Sequence, residues 1–402
     1  MNMLGADARA VRAALAGAPD AKLGRIVGML DSLLDRKTVD ELLEPVRGRL
    51  RWLRPARPLR FPRLLAMPLE GALVAPNAWT RAAEEIPRSA ITPLAAAVQR
   101  QLGELAEEVE MRGCGHTVAN TALVGQLGAR LWRMAGAVEL AAPLPGWREA
   151  GLPAEAAAPI LALAGALWRH GAALWDARMA GAGGPPEALL RATLTPLAKE
   201  GPAALAAAMA LLMHHAEAPA RVAAVAAALS PAVAPLAERA LEADLVEHGV
   251  ALREADMLHL VEAAAGLQRR LADAEAAETP ANREARRRLV ARLRSEGAEA
   301  CQARFAQALR ETVLEPAERL AATPRASDAA VAALEATARE LRRLATAGRG
   351  LGEAGDCAPA VAAAMPRLRA LAAAPGGLGR VEVARLAEIL AGPEAALPLL
   401  GR

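Results

Sequence analysis

The chain is 402 residues long, which is enough for two or three domains at roughly 100–200 residues each. Hydrophobic residues make up 54% of it but aromatic residues only 2%, and alanine and leucine dominate, so the composition favours helices and argues against a strand-rich fold. The 48 basic and 45 acidic side chains nearly cancel, so overall charge indicates neither a nucleic-acid nor a membrane partner. Three cysteines are too few for a disulfide framework.

Two short helices are predicted near the N-terminus. Apolar residues from Leu23 to Leu34 follow helical spacing, and a second helix is predicted from Val39 to about Arg47. Charged side chains interrupt the first twenty residues, so we expect no signal peptide and a cytoplasmic protein.

A proline-dense break follows, from residue 45 to 93, and contains a regular series of arginines. Its prolines oppose a long α-helix and favour the polyproline II helix, which has three residues per turn. Every third side chain then lies on one edge, which predicts a cationic ridge of Arg51, Arg54, Arg57, Arg60 and Arg63. A second, apolar edge is predicted from Trp52, Pro55, Pro58 and Phe61.

This arginine ridge has two interpretations. Guanidinium groups form bidentate hydrogen bonds with carboxylates and phosphates, so segment 47–63 is a candidate binding surface for an acidic protein, nucleic acid or an anionic membrane surface. Alternatively, the segment is a stiff linker whose arginines pair with acids of the chain's own helices, namely Glu104, Glu107, Glu108 and Glu110.

Beyond the break, start and stop signals predict helices at about 93–112, 117–139, 153–180, 186–199, 202–217, 219–248, 252–277, 281–322 and 327–347. Pro231 and Pro316 are expected to split or kink two of them. Ser327 is predicted to cap the last helix, and Gly348 to end it. Short turns between helices of this length predict an all-α fold, either a multi-helix bundle or an array of antiparallel helix pairs.

A turn at 111–120 gathers polar side chains between two predicted helices: Arg112, Cys114, His116, Thr117 and Asn120. Such a turn beside apolar helices is a candidate interhelical pocket for an enzyme or a small-ligand-binding protein. Cys114 and His116 are the candidate catalytic residues there, because a thiol beside an imidazole can act as a nucleophile.

Other chemistry finds little support, and no cofactor or metal is predicted. Three lysines and no GxxxxGK[ST] exclude a P-loop, and the glycines at 348–355 follow no strand and indicate a hinge between helices. His259 is expected to be exposed and ion-paired with Asp256 and Glu262, while Cys301 lies on an apolar helix stripe and is expected in the core. The basic run at 283–294 alternates with acids and indicates a solvated helix face.

Two apolar stretches approach the composition of a membrane span. Ala156–Trp168 and Gly201–Met213 are both rich in alanine and shorter than the ~20 residues that a span needs. We therefore expect two buried helices and no transmembrane segment.

Together these patterns predict three parts: N-terminal helices with the Arg/Pro-rich segment at 1–92, a main helical body at 93–347, and Gly-hinged C-terminal helices at 348–402. The function expected is that of a non-enzymatic interaction protein, a scaffold or regulatory adaptor, which binds a protein partner in a helix groove and an anionic partner at 47–63. The alternative is an enzyme or ligand-binding protein with a pocket near 111–120.

Overall fold

The computed structural model describes residues 3–30, 36–46, 50, 57–180, 185–255, 259–279 and 282–400. The chain divides into two compact units, Met1–Leu241 and Glu242–Arg402. The predicted boundaries at 92/93 and 347/348 are not tested by this grouping and remain predictions.

The first unit is built mainly from helices, some joined directly and others by longer loops. Their bounds are α1 Met3–Ala16, α2 Asp20–Leu30, α3 Arg36–Leu43, α4 Phe61–Ala66, α5 Ile91–Gly113, α6 Thr121–Ala137, α7 Ala157–Arg169, α8 Gly171–Arg178, α9 Glu187–Glu200, α10 Pro202–His215 and α11 Pro219–Leu229. Helix α12, Ala234–Glu254, contains the boundary between the units.

The second unit is also helical. Its helices are α13 Leu260–Ala276, α14 Arg283–Ala308, α15 Glu315–Ala321, α16 Asp328–Leu351, α17 Ala358–Ala373, α18 Arg380–Ala391 and α19 Pro393–Ala396. The only strands among the described residues are β1, Leu73–Val74, and β2, Ile86–Pro87, which pair in parallel. The prediction of an all-α helical array is confirmed.

In the first unit, three aromatic side chains meet at the short helix α4. The indole N–H groups of Trp132 and Trp168 donate to the carbonyl oxygens of Leu64 and Leu65, at 2.7 and 2.8 Å. Phe61 is fully buried at the start of the same helix. Two tryptophans from α6 and α7 thus fix α4 through adjacent carbonyls, and buried indoles normally find such partners.

In the second unit, glycines let elements approach closely. Gly348 lies within α16, and a Cβ there would be 2.9 Å from the carbonyl oxygen of Gly355 and 3.2 Å from Cβ of Cys301. The prediction that Gly348 ends the helix is therefore wrong: α16 continues to Leu351 and ends at Gly352, whose φ is +146°. Ser327 caps the helix as predicted, and Cys301 is fully buried as predicted.

Several predicted helix bounds need correction. The helix predicted at 153–180 begins at Ala157 and is broken at His170, where the next residue, Gly171, lies against Trp132. Pro231 separates α11 from α12, as predicted. Pro316 follows a π-helical turn, Leu309–Leu314, which continues α14 into α15.

Candidate binding groove

Helix α7 is apolar on all sides, yet part of it faces solvent. Its sequence, AAPILALAGALWR, carries one charged residue, the terminal Arg169. Pro159 and Ala162 are exposed, and Leu161 and Gly165 are half-buried. A helix that is apolar on all sides is normally buried on all sides. The exposed face of α7 therefore lacks a packing partner.

Helix α10 has a similar composition and serves as a comparison. It is also alanine-rich, and nearly every residue from Ala204 to Met213 is buried. The prediction of a buried helix is thus confirmed for Gly201–Met213 and only partly correct for Ala156–Trp168.

The uncovered face of α7 is the floor of a cavity of about 560 Å³. One wall comes from the end of α6 and the residues after it, and the other from the start of α10. Ala83, in the loop between β1 and β2, also lines the cavity. The remaining wall residues are small or aliphatic: Ala135, Gly136, Val138, Leu140, Ala203 and Ala204. We call this cavity the α7 groove.

An ion pair forms the polar end of the α7 groove. Arg169 donates from Nε and Nη2 to the two carboxylate oxygens of Glu200, at 3.1 and 2.7 Å. Nε2 of His170 lies 3.3 Å from Oε1 of the same carboxylate. The hydrogen bond from Arg169 outweighs the effect of burial and lowers the pKa of Glu200, and the same hydrogen bond raises the pKa of Arg169.

Two glycines place this polar end. A Cβ at Gly136 would lie 2.7 Å from the backbone nitrogen of Arg169, so α6 and α7 touch there through backbone atoms. Gly201 has a φ of +130°, which side chains rarely tolerate, and its turn directly links Glu200 to the start of α10.

A second ionic cluster lies at the other end of α8. Oε2 of Glu70 accepts a hydrogen bond from Nη1 of Arg178 at 2.9 Å and lies 3.3 Å from Nε2 of His215. Desolvation acts to raise the pKa of Glu70, but the hydrogen bond with His215 and the charges of Arg178, His215 and His214 lower it to about 2. The guanidinium of Arg178 also lies over Trp175, 5.3 Å from the ring centroid. Sequence reasoning missed this cluster, because its residues are 108 and 145 positions apart.

The structure describes only part of the predicted arginine ridge. Arg51, Trp52 and Arg54 lie outside the described residues. Arg60 is exposed, and Arg57 and Arg63 are half-buried. The extended geometry predicted for the ridge is wrong from Phe61 onward, because α4 begins there with Pro62 in its first turn. Phe61 therefore belongs to the core and not to an exposed edge.

The ridge segment and the 111–120 turn, predicted as separate candidates, lie side by side. Pro58 and Thr117 form an antiparallel bridge, and the backbone N–H groups of Leu59 and Val118 donate across it to His116 and Arg57, both at 2.9 Å. The two segments thus support each other through backbone hydrogen bonds.

Two of the acids expected to neutralise the ridge have other partners. Glu108 pairs with Arg112 and Arg130, at 3.2 and 2.6 Å. Oε1 of Glu110 accepts the backbone N–H of Phe61 at 2.8 Å and so holds the start of α4.

The candidate catalytic pair does not form a dyad in the structure. Cys114 and His116 are both exposed, and Nδ1 of His116 lies 3.4 Å from Nδ2 of Asn120. Residues 111–120 do not line the α7 groove. The described part of the chain contains no group of three or more His, Cys, Asp and Glu side chains that could hold a metal ion. His259 is exposed, as expected, and Asp256 lies outside the described residues.

Among the described residues, no helix is both long and apolar enough to cross a membrane. Comparisons of the chain with known protein families, curated proteins and solved structures give no match.

Proposed function

We propose that this chain is a non-enzymatic interaction protein, a scaffold or adaptor, whose α7 groove binds the apolar face of a helix from a partner protein. The observation that carries the proposal is the uncovered face of α7, an apolar helix that forms the floor of an open cavity of about 560 Å³. An amphipathic helix lying in such a groove supplies the missing cover.

The walls of the groove support a helix as the occupant. Alanine, glycine and proline dominate the surface, so a second backbone can approach toward the low end of the usual ~8–10 Å helix spacing. The Arg169–Glu200 pair at one end provides donors and acceptors that can fix the direction of a bound helix.

The proposal is tested with helical peptides selected from a display library of amphipathic sequences on the immobilised full-length protein. Binding of a selected peptide is measured by fluorescence polarisation to the wild type, Ala162→Trp and Ala158→Trp. Ala162 lines the groove, whereas Ala158 is exposed one turn earlier on α7 and does not line it. We expect Ala162→Trp to weaken binding at least about tenfold, equal to ~1.4 kcal/mol, and Ala158→Trp to change it little.

Failure to select any peptide, or equal binding by wild type and Ala162→Trp, would sink the proposal. Circular dichroism of both variants checks that the helical fold is retained.

A small apolar ligand is the second candidate occupant, because the cavity volume lies within the ~300–1,000 Å³ of small-molecule sites. Native mass spectrometry of the purified protein tests it. A bound molecule in the wild type that is absent from Ala162→Trp would favour this candidate over a partner helix, and an unmodified mass in both would exclude a copurifying ligand.

An anionic partner at 47–63 is a further proposal, supported by the exposed Arg60 and by the engagement of Glu108 and Glu110 elsewhere. The test replaces Arg51, Arg54, Arg57, Arg60 and Arg63 with serine and measures binding to duplex DNA and to anionic vesicles. Five phosphate contacts predict a log–log salt slope of about −4 to −5 on DNA, whereas a flat salt response would exclude them.

A reducing cytoplasm is the proposed location, in keeping with three free thiols.

A further inference from the structure

The loop at 75–85 borders the α7 groove. It leaves β1 and returns to β2, so its ends are held together by the strand pair, and Ala83 within it lines the groove. A compact surface loop of this length with adjacent ends is an Ω-loop, a class that is frequently functional.

Two features of this loop cost free energy in the observed conformation. Arg81 has a φ of +67°, the left-handed region that a residue with a Cβ rarely adopts. The indole Nε1 of Trp79 is buried and has no hydrogen-bond acceptor among the described residues. A buried donor without an acceptor loses its hydrogen bonds to water and gains none in the protein, which destabilises the conformation.

The contacts that hold the tip of the loop are weak. Arg81 lies 3.6 Å from Glu155, but the two side chains are 64% and 72% exposed, so this ion pair contributes little. The hydrogen bonds from Thr80 to Glu85 are exposed and lie within the loop itself. By contrast, the base of the loop is held by a 2.8 Å backbone hydrogen bond from Ile86 to Ala72.

We propose that loop 75–85 is a flap of the α7 groove, closed in this structure, that opens about its strand-paired base and widens the groove. As the loop opens its tip rearranges, so that the backbone of Arg81 leaves the left-handed region and the indole N–H of Trp79 reaches water or an acceptor on a bound molecule. This inference goes beyond helix binding and is tested without any partner.

The test measures amide hydrogen exchange in residues 75–85 by mass spectrometry for the wild type and three variants. The guanidinium of Arg81 lies over the Trp79 ring, 5.8 Å from its centroid. Trp79→Phe keeps an aromatic ring at this contact but removes the unpaired donor, so the closed state is favoured and loop exchange slows several-fold. Arg81→Gly and Arg81→Ala both remove the guanidinium, but only glycine removes the Cβ strain, so exchange is about tenfold slower in Arg81→Gly than in Arg81→Ala.

The sign of these effects tests whether the strained backbone of Arg81 and the unpaired donor of Trp79 destabilise the closed loop. If they do not, removing side-chain contacts only loosens the loop, so faster or unchanged loop exchange in Trp79→Phe, or faster exchange in Arg81→Gly than in Arg81→Ala, overturns the proposal. Amides of α16, which does not line the groove, serve as the internal control and should exchange alike in all four proteins.

A thiol probe tests whether loop opening widens the groove. Ala204 lines the groove but is only 3% exposed, so a thiol introduced by Ala204→Cys, in a Cys114→Ser background, reacts with maleimide as the groove widens. Adding Trp79→Phe should slow this reaction several-fold. If Trp79→Phe slows loop exchange but leaves the rate of maleimide labelling at position 204 unchanged, loop opening does not widen the groove and the proposal is wrong.

Discussion

At the scale of single residues, the first unit depends on a place where two backbones touch. A Cβ at Gly71 would lie 2.1 Å from the carbonyl oxygen of Ala207 and 2.3 Å from the backbone nitrogen of Leu211, both in α10. Neither atom can rotate away as a side chain could, so even one methyl group forces the elements apart.

We therefore expect Gly71→Ala to lower the free energy of unfolding by about 3 kcal/mol. The matched control is Gly266→Ala in α13, where a Cβ meets no atom within 4 Å and alanine should raise stability by roughly 0.5–1 kcal/mol. Thermal unfolding followed by circular dichroism measures both changes. Equal effects of the two substitutions would contradict the close approach at Gly71.

Glu70 predicts a pH dependence of stability. Folding lowers its pKa from 4.5 to about 2, so the ionised carboxylate stabilises the fold above about pH 4.5. That contribution is lost as the pH falls from about 4.5 toward about 2. Glu70→Gln should therefore lower the unfolding temperature at pH 7, and the difference from wild type should shrink steadily between pH 5 and pH 3.

The control for this substitution is Glu104→Gln, since Glu104 is exposed on α5. Its unfolding temperature should stay close to the wild type throughout the range. A difference for Glu70→Gln that is constant with pH would show that the Glu70 charge has no part in stability.

The three cysteines should differ sharply in reactivity. Burial raises the pKa of Cys301 to about 12 and that of Cys357 to about 11, while Cys114 is exposed. We expect Ellman's reagent to titrate one thiol in the native wild type at pH 8 and none in native Cys114→Ser. After denaturation, the wild type should show three reactive thiols. Rapid reaction of a second thiol without unfolding would place Cys301 or Cys357 outside the core.

At the scale of elements, helix α4 has only six residues but accepts buried hydrogen bonds from two other helices of the first unit. Trp168 from α7 donates to the buried carbonyl of Leu65, whereas Trp147 makes a similar bond to Pro153 in a partly buried loop. Trp168→Phe should lower the free energy of unfolding by ~1–3 kcal/mol and Trp147→Phe by less. Chemical denaturation measures both, and the reverse order would mean that α4 is not the centre of this core.

Sequence patterns predicted the long helices well because apolar periodicity and caps are local signals, as at Ser327. The sequence patterns do not predict helix α4, because Arg60 and Arg63 fit a three-residue period. Pro62, two residues after the N-cap residue Arg60, is nevertheless a signal of a helix start. Gly348 resembles a helix-ending glycine in sequence. The close backbone contact with Gly355, which requires a glycine at this position inside α16, leaves no mark in the sequence.

The groove could not be predicted for a similar reason. The sequence shows that α7 and α10 are both apolar all round, but not that neighbours cover α10 fully and leave Ala162 and Pro159 of α7 exposed. Cover is decided by which elements pack together. The partners of Arg169 and Arg178 depend in the same way on segments distant in the chain, which single-sequence patterns do not connect.

At the scale of the whole molecule, aromatic residues are few, and most of them are buried in the core of the first unit. Trp132, Trp168, Trp175 and Phe61 lie around α4 and α8. The nearby surface along α7 is left to small aliphatic side chains. That division leaves small side chains along the α7 groove, whose proposed occupant is a partner helix.

The most direct measurement of this central claim is the protection of one position on α7 by a bound helical peptide. In a Cys114→Ser background, thiols introduced by Ala162→Cys and Ala158→Cys are alkylated with and without a saturating selected peptide. A helix lying in the groove should slow alkylation at position 162 about tenfold or more and leave position 158 nearly unchanged. Equal rates at position 162 with and without the peptide would show that the groove is not where the partner binds.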